Sequence, residues 1–333
     1  NINLQIIKTD DYKSFFESLF KKKNFSIYWN KTYEPNYLQF DNYLAKNFKS
    51  KGINFKICKG NILNELDVKK TDGTPFKVFT PFWRNAEKFY IEKVPSIDKK
   101  ISKCKTKISF FQNDLNVDEI LPSNKWYKKF ENYWLPSEEN ALKQLKIFID
   151  ERLKNYSNAR NFPNVSGTSK LSPFIKHGQI HVETIWEECT KVKKNGVYKF
   201  LAEIGWREFN HSLINYFPNM LKGNYSKKFD NFPWEKNTKY LNAWKKGLTG
   251  YPIVDAGMRE LYSTGWMHNR VRMIVGSFLV KHLLINWVEG EKYFKNLLLD
   301  YNQANNVSGW QWVAGCGADA APYFRIFNPI LQG

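Results

Sequence analysis

A partial Rossmann-like parallel α/β domain followed by a larger all-helical domain is the architecture the sequence predicts, and three observations predict it. Apolar positions in the first 58 residues switch repeatedly between the strand period of about 2 and the helix period of about 3.6. The pattern then fades into a Lys-rich, Pro-containing stretch. From Ser137 onward it is helical to the end. A length of 333 residues suits two domains of roughly 100–200 residues each. These divide as residues 1–94, a connection over 95–136, and a helical domain over 137–333.

Taken in order, Leu4–Ile7 reads as a strand and residues 10–22 as a helix with Phe15, Phe16, Leu19 and Phe20 on one face. Phe25–Trp29 is a second strand, residues 35–50 a helix through Tyr37, Phe40, Leu44 and Phe48, and Ile53–Cys58 a third strand. Alternation of this kind implies a parallel sheet covered by helices. No G-x-G-x-x-G loop accompanies it, so a dinucleotide at this sheet is unsupported. Ser137 can cap a helix whose first turn carries Glu138 and Glu139, with Leu142, Leu145, Ile149 and Leu153 on its apolar face. The most apolar helical face runs through Val271, Ile274, Val275, Phe278, Leu279, His282 and Leu283.

Composition narrows the function. Aromatic residues make up 17% of the chain and apolar residues 42%, enough to offset the entropy of ordering it. No run approaches the ~18–20 apolar residues of a membrane span, and the first residues lack a secretory leader pattern. A cytoplasmic protein is expected. Cys58, Cys104, Cys189 and Cys316 form no CxxC pair, which argues against a disulfide framework or zinc site. His177 and His181 share a helical face without the Glu that a zinc-protease helix requires, so no metal is expected. The net charge of +19 fits a polyanionic partner. All but eight of the 51 basic residues are Lys, however, and Asn is abundant, so a coding bias accounts for it equally well.

Four stretches hold candidate chemistry. Tyr156–Pro173 brings Thr168, Ser169, Lys170 and Ser172 to a predicted helix start at Pro173, suited to a phosphate, although spacing alone favours an ordinary capped loop. Helical spacing aligns Glu203, Trp206, Arg207 and Asn210, a carboxylate beside an indole that can grip a planar substrate. Gly265–Met273 sets Asn269, Arg270, Arg272 and Met273 in the first turns of an otherwise apolar helix. Asp300–Trp312 is a polar turn running into paired tryptophans, side chains that one-electron oxidants can use.

In this order the segments resemble the DNA photolyase/cryptochrome family. The resemblance rests on Phe76–Phe82, Gly167–Pro173, Trp206–Phe209, Thr249–Ala256, Trp266–Met273, and Trp310–Trp312 with Phe324–Pro329. It spans nearly the whole chain. Relatives begin with further strands and helices and continue past Gly333, so the resemblance implies a chain truncated at both ends.

Carried over position by position, the resemblance implies FAD held by the helical domain. Tyr156, Thr168, Ser169, Lys170, Leu171 and Ser172 would hold its phosphates and ribose. Asp300, Tyr301, Asn302 and Asn306 would face its rings, with Arg272 paired to Asp300. Lys170 stands where many members carry Arg, which loses the bidentate fork, and Asn302 where many carry Asp, which removes a charge. Trp310, Trp287 and Trp234 match a tryptophan relay. Trp206 and Trp312 match the walls around a flipped pyrimidine dimer, which Glu203, Asn269 and Met273 would touch. Arg207 and Asn210 join that face, and Arg270 and Gln332 would hold the DNA strand.

The subtype follows from residues. Members that repair the other major pyrimidine photoproduct carry His where this chain has Asn269 and Met273, and plant-type cryptochromes commonly carry Asp where it has Asn306. All three positions match cyclobutane pyrimidine dimer photolyases. Light-driven dimer repair by electron transfer is the expected activity, and a photoreceptor without repair is the alternative. The family also binds a folate or deazaflavin antenna; an acidic residue is expected after Asn36 in folate binders, whereas Tyr37 is present, so the antenna stays unassigned. A monomer acting on dimer-containing DNA, nucleoid-associated when bound, is the expected assembly.

Overall fold

The computed structural model describes residues 6–9, 11–21, 25–66, 68–91 and 119–332. In chain order its elements are α1 (Tyr12–Phe20), β1 (Ser26–Asn30), α2 (Pro35–Ser50), β2 (Asn54–Cys58), α3 (Phe79–Ile91), α4 (Glu138–Ile147) and the short α5 (Tyr156–Ala159) and α6 (Ser172–Lys176). They continue with α7 (Val182–Thr190), α8 (Val197–Tyr216), α9 (Thr238–Lys246), α10 (Pro252–Thr264), α11 (Asn269–Ser277), α12 (Trp287–Leu297) and α13 (Gln303–Ala314).

Asp11 starts α1 by accepting from the backbone N–H groups of Lys13 and Ser14. Strands β1 and β2 pair in parallel, Ser26 opposite Asn54 and Asn30 opposite Cys58, with α2 as the crossover that parallel pairing demands. Phe48 of α2 is fully buried against the rings of Phe16, Phe20, Trp29 and Phe55. The expected third strand is not seen. Leu4 and Gln5 lie outside the described residues, and Ile6 and Ile7 form no strand, leaving a two-stranded sheet among the described residues.

The first part of the chain is bolted to α8. Phe79 and Phe82 of α3 pack against Trp206 and Phe209, and a Cβ on Gly205 would come 2.2 Å from Trp83 Cε3, so a glycine is required there. Glu208 of α8, buried, accepts from the backbone N–H groups of Leu63 at 2.8 Å and Asn64 at 3.1 Å. Of the predicted connection over 95–136, residues 95–118 lie outside the described residues. Its end is folded onto the helices: Phe130 is buried, Lys129 Nζ sits 3.4 Å above the Tyr262 ring, and Trp134 Nε1 donates to Thr264 O at 2.8 Å.

Ser137 caps α4 as predicted, its Oγ accepting from Asn140 N. The buried face is Ala141, Leu145, Ile149 and Leu153, while Leu142 is 43% exposed. Val271, Ile274, Val275, Phe278 and Leu279 are buried as read, but His282 is not, because the helix widens into a π-turn at Phe278–His282 that rotates it outward. Helix α13 packs against α8, α11 and α12, with Ala304, Val307, Ser308, Trp310, Gln311, Val313 and Ala314 all buried. Enclosed on several sides, it carries no apolar stripe for a sequence to display.

Candidate active site

The loop before α6 is held from behind. Gln144 Nε2 donates to Ser169 O at 2.8 Å and Arg152 Nη1 to Thr168 O at 3.4 Å. A Cβ on Gly167 would lie 2.6 Å from the Ala159 carbonyl, so a glycine is needed for the loop to pass. Lys170 takes a left-handed backbone conformation (φ 53°), uncommon outside glycine, and leaves its exposed ammonium 5.4 Å above the Trp266 ring. Leu171 and Tyr156 are buried; burial and then the nearby Glu203 charge push the Tyr156 phenol above its ordinary range.

Three distant stretches meet at Asp300. Its Oδ2 accepts from Ser172 Oγ at 2.7 Å and Arg272 Nη2 at 2.8 Å, and Trp266 Nε1 in turn reaches Ser172 Oγ at 3.3 Å. Arg272 Nε also donates to Met267 O at 2.8 Å, which fixes the guanidinium plane. The other carboxylate oxygen, Asp300 Oδ1, is buried without a partner. An unpaired buried acceptor costs about 1–3 kcal/mol, so this oxygen awaits a donor.

The turn after Asp300 opens α13. Asn302 caps the helix through Oδ1, which accepts from Asn305 N at 3.0 Å, and its Nδ2 lies 3.1 Å from His211 Nε2. Asn306 Nδ2 donates to Glu291 O and Oε1 at 3.2 and 3.1 Å, and the Tyr301 hydroxyl donates to the same Glu291 Oε1. Asn210 Nδ2 donates to Asn305 Oδ1 at 3.0 Å. Asn210, expected on the substrate face, is thus spent on holding α13.

On α8, Trp206 stacks on Phe79 at 3.9 Å between centroids with planes 10° apart, which occupies one indole face. Glu203 is ion-paired with Arg160. Arg207 departs from its expected place on a DNA-facing rim: it points inward, donating to Asn61 O at 2.5 Å, 3.8 Å from Glu208. Its guanidinium satisfies a loop carbonyl beneath the helix, a need invisible in helical spacing.

Asn269, Arg270 and Met273 open α11, where Arg270 Nε donates to Asn161 Oδ1 at 3.0 Å. With Gln332 and Phe327, Arg270, Met273 and Asn161 line a cavity of about 300 Å³. Residues 161, 270–273 and 332, far apart in sequence, are therefore brought together. His268 caps α11, Nδ1 accepting from Arg270 N, while Nε2 is buried without a partner. Burial, then Arg270 and Arg272, push its pKa down to about 4.

Of the three tryptophans expected to form a relay, Trp310 and Trp287 are buried and Trp234 is half-buried. Trp310 is buried in a notch over Gly290, where a Cβ would lie 2.1 Å from its ring. Trp287 is buried, its Nε1 donating to Asn224 Oδ1 at 2.8 Å. Trp234 is half-buried against Phe232 at 4.4 Å and lines a cavity of about 550 Å³. Trp312 is half-buried at the end of α13. Sequence reading missed Trp244, fully buried with its ring 6.1 Å from that of Trp310, and also His211 and Glu291. Buried partners of this kind leave no motif, although the scarce Arg160 was a signal within its own segment.

Among the described residues no group of His, Cys, Asp and Glu is disposed to hold a metal, and no helix is long and apolar enough to cross a membrane. Two family models match the chain: one described as DNA photolyase over residues 1–99, and one as FAD binding domain of DNA photolyase over residues 200–333. The deoxyribodipyrimidine photo-lyase of Agrobacterium fabrum is 43% identical over 315 residues, covering 92% of this chain and 65% of that enzyme. A crystal structure of a bacterial class III photolyase from Agrobacterium tumefaciens superposes with a TM-score of 0.87 at 39% identity, covering 97% of this chain and 68% of that one. The chain belongs to the DNA photolyase/cryptochrome family. An archaeal photolyase from Sulfolobus tokodaii, solved with two FAD molecules, superposes with a TM-score of 0.77 at 32% identity over 96% of this chain and 68% of its own. The chain spans just under two thirds of the length of the Agrobacterium fabrum photolyase.

Proposed function

We propose that the chain binds FAD in its helical domain and, within the photolyase it forms, carries out light-driven repair of cyclobutane pyrimidine dimers in DNA. The observation that carries this reading is the convergence of Ser172 and Arg272 on the buried Asp300 carboxylate, whose other oxygen is unpartnered, in a chain 43% identical to a deoxyribodipyrimidine photo-lyase. The residues fit the cofactor: the hydroxyls and ammonium of 168–172 suit its phosphates, and Asp300 Oδ1 and His268 Nε2 are buried groups in need of polar partners. Bound and reduced, FAD supplies on blue or near-UV excitation the electron that opens the cyclobutane ring and afterwards takes it back.

The chain's own groups do the rest. Arg272 orients Asp300 through the 2.8 Å contact of Nη2 with Oδ2. Trp206, backed by Phe79, and Trp312 offer flat surfaces on which a flipped dimer stacks, each worth about 1–3 kcal/mol per base, and extrusion is least costly where the base is already damaged. Glu203, Asn269 and Met273 reach the lesion, and Arg270 and Gln332 hold its strand. Trp310, Trp287 and Trp234 pass an electron inward from the surface when the flavin needs reducing. The reading implies a cytoplasmic monomer that engages DNA.

The test is direct. The purified chain, loaded with FAD and reduced, should restore thymine absorbance to an ultraviolet-irradiated oligothymidylate under blue light and not in the dark. Dimers that persist with fully reduced flavin bound would overturn the repair activity.

A further inference from the structure

Asn302 and His211 fix one another's chemistry. The backbone N–H of Asn305 can only donate, so the Asn302 atom 3.0 Å from it is the carbonyl oxygen Oδ1. The atom left to face His211, at 3.1 Å, is therefore the amide nitrogen Nδ2. A carboxamide nitrogen only donates, so His211 Nε2 must be the unprotonated, accepting nitrogen. The ring proton then sits on Nδ1, which is buried and has no partner.

That arrangement is costly on its face, since the buried Nδ1–H goes unpaired at about 1–3 kcal/mol. His211 is 4% exposed and packed edge-on against Tyr33 at 6.2 Å; burial, then the charges of Arg207 and Lys176, disfavour a second proton on it. A second proton would set an N–H against an N–H and lose the Asn302 contact. The opposite tautomer would pair Nε2–H with nothing that accepts. Only the neutral Nδ1–H form serves Asn302.

We infer that His211 is a positioning residue for the flavin site: as the Nδ1–H tautomer it holds Asn302 so that the cap carbonyl faces the helix and an amide N–H, not a carbonyl, remains for the flavin. The inference rests on the flavin reading above. Asn302 opens α13 two residues after Asp300, whose unpartnered Oδ1 marks the same site. With Asn210 donating to Asn305, two neighbouring residues of α8 thus set the N-terminus of α13.

The test has two arms. In the apoprotein with ¹⁵N-labelled histidine, His211, identified among the five histidines by its loss in His211→Gln, should show an unprotonated Nε2 and a protonated Nδ1. Asn302→Asp should exchange the two, because a carboxylate needs a donor. In the second arm His211→Leu, which cannot accept, should weaken FAD binding about tenfold, the equivalent of ~1.4 kcal/mol. His211→Gln, whose Oε1 falls near the Nε2 position, should restore affinity to within about twofold. A protonated Nε2 in the unsubstituted protein, or unchanged affinity in His211→Leu, would overturn the inference. A protein that takes up no FAD would sink the flavin reading instead, a failure that the tautomer measured on the apoprotein does not share.

Discussion

Arg272 Nη2 lies 2.8 Å from Asp300 Oδ2, on a carboxylate whose other oxygen is buried and unpartnered. Half of this group is spent on the protein and half is left for something else. Removing the carboxylate strands Arg272, and breaking a buried pair in this way typically costs about 3–5 kcal/mol. Asp300→Ala should therefore lower the urea midpoint strongly and abolish FAD retention through gel filtration. Asp300→Asn, which preserves shape and one acceptor, should keep the fold and lose FAD affinity. A urea midpoint for Asp300→Ala equal to that of the unsubstituted protein would show that the ion pair carries no structural weight.

The residues that were legible in the sequence are those whose reason is local. Ser137 as a cap, the crossover from β1 through α2 to β2, and the buried stripe of α11 follow from spacing and side-chain type, and each appears where it was read. What could not be read has long-range causes. Arg207 turns inward because a loop carbonyl 146 residues away lacks a donor. Ala141 replaces Leu142 on the core face because the end of α4 winds into a π-turn at Phe148–Arg152. In the site, the motifs lead to Ser172, Arg272 and Asp300, which the fold brings together, whereas the partners that orient their neighbours, Glu291, His211 and Asn161, follow no pattern in the sequence.

Two glycines flank Trp310 and make opposite predictions. A Cβ at Gly290 would lie 2.1 Å from the indole, whereas one at Gly276 would meet it at 3.5 Å, an ordinary contact. Gly290→Ala should destabilise by about 1–3 kcal/mol through overpacking and shift tryptophan emission. Gly276→Ala, in the interior of α11, should be neutral or stabilise by about 0.5–1 kcal/mol. Thermal melts of the pair separate a specific notch from a general intolerance of helix substitution.

Glu208 is the clasp between the N-terminal part and α8. Its two oxygens each accept a backbone N–H, from Leu63 and Asn64. Glu208→Leu leaves both donors buried and unpaired and should cost more than about 2 kcal/mol, at about 1–3 kcal/mol per donor. Limited proteolysis should then open the chain between residues 59 and 78, ahead of α3. Unchanged cleavage would mean that the aromatic stack of Phe79, Trp83 and Trp206 suffices to join the two parts.

Stability should fall with acid because of His268. Its folded-state pKa is pushed down to about 4, by burial first and then by Arg270 and Arg272, from an ordinary value of 6.5. Between those values the unfolded chain takes a proton that the folded chain refuses, so stability is full above pH 6.5 and declines as pH falls towards 4. His268→Asn keeps an acceptor for the Arg270 N–H and removes the titrating ring. Its melting temperature should decline less over that window, though not remain flat, since burial also lowers His211. Parallel profiles for the two proteins would remove His268 from the account.

Grip on a DNA strand and recognition of a lesion fall to different residues in the proposed function. Arg270 carries charge on the cavity rim, but in the free protein its guanidinium donates to Asn161 Oδ1, so strand binding must exchange one acceptor for another. Arg270→Ala should weaken damaged and undamaged DNA alike and reduce the salt slope of binding by about 1, the signature of one lost phosphate contact. Trp312→Ala should leave that slope unchanged and erase most of the preference for dimer-containing strands, because stacking is paid only by an extruded base. Asn161→Ala frees Arg270 and should tighten binding to both. If Trp312→Ala instead lowers the salt slope, or spares the preference, the indole is not the surface on which the lesion rests.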